Sequence, residues 1–63
     1  MKTLKEIRKE KGLTQQKLAD AAKVKLSVIK RIENNNMKRV YAIEVGLIGY
    51  YLGTYKIKEF NLS

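Results

Sequence analysis

The 63-residue chain is predicted to be all-α, a compact bundle of four to five short helices, and three patterns carry that expectation. Apolar residues recur at helical spacing behind good helix starters, Thr3 and Thr14. Glycine or asparagine follows where the stripes end, at Gly12, at Asn34 to Asn36 and at Gly53. Between the asparagines and Gly53 lies an apolar run long enough for one more helix. At this length the chain makes one domain, residues 1–63, with a thin core whose burial only just offsets the entropy of ordering the chain.

Each element has its own chemistry. Thr3, with Glu6 three places on, reads as a capping box opening a helix that carries Leu4, Ile7 and Arg8. Gly12 ends it. Leu13 leads into Thr14, the N-cap of a helix with Leu18, Ala19 and Ala22 on one face. Asn34, Asn35 and Asn36 begin a loop that runs to about Arg39, because asparagine bonds its own backbone in turns and tolerates the left-handed conformation. From Val40 to Leu52 the residues are apolar on all sides except at Glu44, Gly46 and Gly49, which suggests a buried helix whose glycines admit a neighbouring backbone. A strand is the alternative there, since valine, isoleucine and tyrosine favour sheets. Gly53 and Thr54 stop the run, and Ile57 with Phe60 suggest a last short turn packing back on the core.

The stretch LTQQKLADAAKVKLSVIKRIE, residues 13–33, hides its turn, because it holds neither proline nor glycine. As one continuous helix it would place Ala22, Ile29 and Ile32 within about 40° of Leu18, a fair apolar face. That helix would also put Lys25 about 20° from Leu18, inside the face, and leave Val24 and Val28 outside it. A break between Ala22 and Leu26 frees Lys25 and admits Val24. A helix of about 20 residues would span about 30 Å, roughly the width of such a domain. Geometry favours the break, and periodicity alone permits either form.

Composition narrows the function. There is no cysteine or histidine, so no disulfide, no thiolate or imidazole metal ligand and no histidine base. The two serines, Ser27 and Ser63, have nothing to activate them, so no nucleophilic centre can be assembled and an enzyme is not expected. No metal, cofactor or small-molecule ligand is called for. The net charge of +8 attracts polyanions or an anionic membrane surface. MKTLKEIRKEKG alternates charged and apolar residues and reads neither as a secretion signal nor as an anchor, so a cytoplasmic location is expected.

The segment LKEIRKEKGLTQQKLADAAKVKLSVIKRIENN resembles the helix-turn-helix domain of the phage-repressor type (Cro/XRE-like). The resemblance rests on Arg8, Gly12, Leu13, Thr14, Gln15, Leu18, Ala19, Val24, Ser27, Ile29, Ile32, Glu33 and Asn34 in order and spacing. It covers about half the chain. Further on, Leu47, Ile48, Leu52 and Gly53 are similar to the family's fourth helix, and Ile57 and Phe60 fit its fifth. The resemblance implies a lambda-repressor-like bundle, with two helices, about Gln15 to Ala22 and Leu26 to Glu33, joined through Lys23, Val24 and Lys25. Where the family usually has glycine in that turn, this chain has Lys23, and a left-handed backbone there would cost roughly 1 to 2 kcal/mol.

The function so implied is sequence-specific binding of double-stranded DNA by a small repressor-like transcriptional regulator, with helix 26–33 in the major groove. Six basic residues against Glu33 lie between Lys23 and Arg39, where five of the eight net charges gather. Base reading would fall to Lys25, Leu26, Ser27, Lys30 and Arg31, with Arg31 matched to guanine and Leu26 to a thymine methyl. Phosphate contacts would fall to Thr14, Gln15, Lys23, Asn34, Lys38 and Arg39. Arg8 and Glu33 match positions that pair across the family's domain, a structural ion pair.

One such domain touches few base pairs, so a homodimer on a pseudo-palindromic operator is expected, with half-sites roughly 34 Å apart. Tyr50, Tyr51, Tyr55, Phe60 and Leu62 are the residues assigned to the dimer surface, because a chain this short can hardly bury them all. The rival class is a protein-interaction module, including a relative of the family that binds another regulator and has lost specific DNA binding. A membrane role is not expected, since VYAIEVGLIGYYL falls short of the roughly 20 residues a span needs and contains Glu44.

Overall fold

The computed structural model describes residues 1–60. Four α-helices follow in order: α1 (Leu4–Glu10), α2 (Gln15–Ala22), α3 (Leu26–Glu33) and α4 (Ala42–Leu52). A 3-10 turn, Lys58–Phe60, closes the described chain, and no strand occurs among the described residues. Leu4, Ile7, Leu18, Ala19, Ala22, Val28, Ile29, Ile32, Ile48, Leu52 and Ile57 form a single core to which all four helices contribute.

Local capping chemistry sets the helix starts. The Thr3 hydroxyl accepts the Glu6 N–H at 3.2 Å, while the Glu6 carboxylate accepts the Thr3 N–H at 2.8 Å. These bonds, the Thr3 backbone N–H foremost, hold the Glu6 carboxyl below the usual carboxylate range. Thr14 accepts the Lys17 N–H at 3.1 Å and so starts α2.

All four helices stop by the same device. After each, one residue takes a left-handed backbone, and it and its successor donate back to carbonyls of the last turn. The left-handed residues are Gly12, Lys23, Asn35 and Gly53, with φ of 69°, 61°, 56° and 76°. For α2 the Lys23 N–H reaches the Asp20 carbonyl at 3.3 Å, and the Val24 N–H reaches the Ala19 carbonyl at 3.0 Å. Lys23 is the one member of the set that is neither glycine nor asparagine.

That difference has a measurable consequence. Lys23→Gly removes the steric cost of a Cβ in this conformation, about 1 to 2 kcal/mol, against the larger entropy that glycine loses on folding. The net gain is expected to be about 1 kcal/mol, a Tm rise of roughly 4 to 8 °C for a domain of this size. Lys23→Asn should give part of it. Thermal unfolding checks this, and an unchanged or lowered Tm for both variants would mean that the turn is unstrained.

The turn divides residues 13–33 as the apolar pattern requires. Val24 is half-buried against the core, Lys25 is exposed and Val28 is buried. An unbroken helix from Gln15 to Glu33 would run about 28 Å, as long as the molecule's greatest extent of 29 Å. Folding back at Lys23 lets α2 pack on both α3 and α4.

The apolar run departs from expectation in three ways. It is a helix, but α4 begins at Ala42, two residues beyond the expected start. Arg39 turns the chain with φ of 61°, and the Tyr41 N–H donates to the Glu44 carboxylate at 2.8 Å, which sets the later start. The helix is also not buried all round: Ile48, Gly49 and Leu52 are inside, whereas Ile43, Leu47, Tyr50 and Tyr51 are exposed. The four-helix core is too thin to wrap its outermost member. Finally, Gly49 admits the ring of Tyr55 and not a backbone; any side chain at Gly49 would collide with that ring, whose hydroxyl donates to the Gly46 carbonyl at 3.3 Å.

The last turn ties the two ends of the described chain together. The Lys58 N–H donates to the Lys2 carbonyl at 2.8 Å, and Glu59 accepts the Leu4 N–H at 2.9 Å, satisfying a donor at the start of α1. Ile57 is buried and Phe60 is half-buried against the core. Phe60, assigned to a dimer surface, thus commits part of its ring to the core and keeps the rest outside. Leu62, assigned to the same surface, lies outside the described residues.

Candidate nucleic-acid interface

The interior side of α3 is apolar and the exterior side is not. Val28, Ile29 and Ile32 point into the core. Turning about 100° per residue, Lys30 and Asn34 fall opposite them with Ser27 alongside, and all three are exposed. Lys25 is exposed at the leading end. Arg31 sits at one flank of this face and is half-buried. Leu26, at the other flank, is half-buried and packs against the core, so part of its apolar surface is already committed inward.

α3 opens without a side-chain cap. Lys25 holds the N-cap position, and a lysine has no acceptor to offer the first N–H groups of the helix. Glycine, serine or aspartate would stabilise that end better. The basic residues before and after α3, Lys23 in the turn and Lys38 and Arg39 in the loop before α4, are all exposed.

A buried polar cluster holds α3 in place. Arg8 Nε donates to Glu33 Oε2 at 2.7 Å and Nη2 to Oε1 at 3.3 Å, while Nη1 donates to the Leu13 carbonyl at 2.7 Å. The two side chains are 9% and 6% exposed. Gln15 joins them, its Nε2 donating to Glu33 Oε1 at 3.1 Å. The cluster binds α1, the start of α2 and the end of α3 to one another, and among the described residues no buried side-chain polar atom is left unpartnered.

The structure thus gathers the expected residues into two groups. Ser27, Lys30 and Asn34 share the outer side of α3, with Lys25 exposed at its leading end and Leu26 and Arg31 at its margins. Arg8 and Glu33 form their pair, joined by Gln15, whose link to Glu33 was not foreseen although both residues stand in the segment that carried the resemblance. One of the two amide hydrogens of Gln15 is engaged there, which leaves the other for a further partner. Thr14 is exposed, and its oxygen is occupied in capping α2. Tyr50, Tyr51 and Tyr55 are exposed on or over α4, and the exposure of Tyr41, Ile43 and Leu47 beside them was not anticipated.

Among the described residues no cluster of carboxylates could hold a metal ion, and no helix is long and apolar enough to cross a membrane. Residues 4–45 match a family model described as helix-turn-helix. Comparison with curated proteins and with solved structures gives no match.

Proposed function

Since the chain belongs to the helix-turn-helix family of Cro/C1 type, a family of DNA-binding domains, we propose that it is a repressor-like transcriptional regulator that reads double-stranded DNA with α3 in the major groove. The observation that carries this reading is the outer side of α3, where Ser27, Lys30 and Asn34 are exposed back to back with the buried Val28, Ile29 and Ile32. A helix of this girth fits the major groove, and its exposed side offers donors to base edges.

In this reading Lys25, Ser27, Lys30 and Arg31 meet base edges, Arg31 by reaching from the flank to guanine O6 and N7, and Leu26 offers what apolar surface it has left to a thymine methyl. Backbone phosphates are held by Lys23, Asn34, Lys38 and Arg39, and at the start of α2 by Thr14 and the free amide hydrogen of Gln15. The positive end of the α2 dipole favours a phosphate at the same place. Two copies engage a pseudo-palindromic operator, since one domain spans too few base pairs to select a site.

Duplex titration at two salt concentrations tests this. With Lys23, Lys38 and Arg39 on phosphates, one copy should show a log–log salt slope of about −3 and two copies about −5. Between 50 and 200 mM salt, two copies then lose roughly a thousandfold in affinity. The competing reading, a family relative that docks a protein regulator, draws on the exposed apolar side of α4. It predicts no duplex binding at low salt and little salt dependence for its own partner.

A further inference from the structure

A hollow of about 270 Å³ opens where the end of α1 meets the chain leaving α4. Ile7 and Leu52 supply its apolar lining, and at 7% and 5% they are the two core residues that keep the most exposure. The core comes nearest to solvent here. Lys2, Lys11, Lys56 and Thr54 supply the polar lining, together with Glu10. None of these residues belongs to α3, to the loop before α4 or to the exposed side of α4. They are spread from position 2 to position 56, so no motif in the sequence marks the place.

The charges select the sign of a ligand. Three ammonium groups stand against one carboxylate in this lining, and that carboxylate is already engaged, since Lys2 Nζ donates to Glu10 Oε2 at 2.6 Å. Lys11 and Lys56 make no ion pair among the described residues, so their donors are open to an acceptor from outside. Thr54 Oγ1 accepts the Lys56 N–H at 3.1 Å, a bond that uses the oxygen and leaves the hydroxyl hydrogen to donate. An excess of donors and of positive charge favours an anion.

The apolar lining selects its body. Inorganic phosphate gains nothing from Ile7 and Leu52, whereas a ligand with an apolar part removes both from water. A cavity of about 150 Å³ holds a benzene ring, so this hollow has room for one ring and an oxyanion head. A duplex offers phosphates but no apolar body to enter a hollow of this size.

We propose that this hollow binds a small organic anion, a carboxylate or phosphate ester carried on an apolar body about one ring in size. Lys11, Lys56 and the Thr54 hydroxyl hold the head, and the body lies on Ile7 and Leu52. Glu10 opposes the head by its own charge and by occupying Lys2. The proposal does not rest on DNA binding.

NMR amide shifts of the full chain without nucleic acid, in about 20 mM salt, test it with benzoate and phenyl phosphate as probes, and the tighter of the two identifies the head. Saturable shifts confined to residues 2–11 and 52–57 are expected, with a Kd on the order of 1 mM for ligands of this size. Inorganic phosphate, the charge without the ring, and benzyl alcohol, the ring without the charge, should each bind roughly tenfold more weakly. Lys11→Glu and Lys56→Glu, both at exposed positions, should keep a native circular dichroism spectrum and weaken benzoate by about fivefold or more. Glu10→Gln should strengthen it by about twofold, a change of sign that a merely structural role for Glu10 would not give. Inorganic phosphate binding as tightly as benzoate overturns the proposal, because the lysines then gather ions without the hollow. Benzyl alcohol binding as tightly removes the charge from the account and overturns it equally. So do shifts that are absent or centred on α3, and benzoate binding that neither lysine substitution weakens. Each of these outcomes leaves duplex binding to its own titration, because no DNA enters this measurement.

Discussion

Glu33→Ala is expected to cost about 3 to 5 kcal/mol of stability, enough to leave much of the chain unfolded at room temperature. The loss does not come from a missing attraction alone. Arg8 lies with its side chain 9% exposed, and Glu33 accepts its Nε and Nη2 as well as Nε2 of Gln15. Removing the carboxylate strands a guanidinium away from water and leaves the Gln15 amide short of an acceptor. Small domains have only about 3 to 5 kcal/mol to lose. The double change Arg8→Met with Glu33→Leu should be far milder, because no charge is then left buried without a partner. Urea unfolding of wild type, both single variants and the double variant closes the cycle. If Glu33→Ala stays within about 1 kcal/mol of wild type, the pair is solvated and does not hold α3 in place.

Arg31→Ala carries the second large effect, on discrimination and not on stability. A bidentate arginine–guanine contact is worth about 1 to 3 kcal/mol against the wrong base, roughly 5- to 150-fold in relative affinity. The variant should lose that preference at one position of the half-site while still binding duplex. Lys38→Ala should behave differently, weakening all sequences alike and reducing the salt slope by about 1. A panel of duplexes differing at single positions, titrated against wild type and both variants, distinguishes them. Equal affinity of the wild type for every duplex would remove base reading altogether, and a Lys38→Ala variant that alters base preference would exchange the two roles.

The features legible in the sequence are those set by local chemistry. Thr3 with Glu6, Thr14, Gly12 and Gly53 announce helix ends because capping and left-handed stops involve residues within a few positions of one another. The bend at Lys23 was half legible. The apolar pattern allowed both a rod and a bend, and the resemblance of residues 4–35 to a known arrangement decided for the bend, which the backbone at Lys23 then bears out. The left-handed lysine itself was foreseeable as the residue standing where glycine is usual.

Other features depend on contacts distant in the chain. Gln15 and Glu33 meet across 18 positions, and nothing near either residue marks the bond. The exposed side of α4 was illegible for a different reason. A helix that is apolar on every side has no polar stripe to mark the solvent, so its orientation is decided by what α2 and the core cover. Gly49 likewise reads as a site of close approach, but only the later path of the chain reveals that the approaching group is the Tyr55 ring. Leu26 fell between the two cases: its place at the edge of α3 was clear, and the core's partial hold on it was not.

Backbone amide shifts of the chain, followed by NMR as a duplex obtained by binding selection is added, test the use of α3 most directly. The perturbed amides should be those of residues 25–34, the start of α2 at Gln15, and Lys38 and Arg39. Shifts absent from α3 at saturating duplex, or confined to α1 and the Lys58–Phe60 turn, would contradict its entry into the groove.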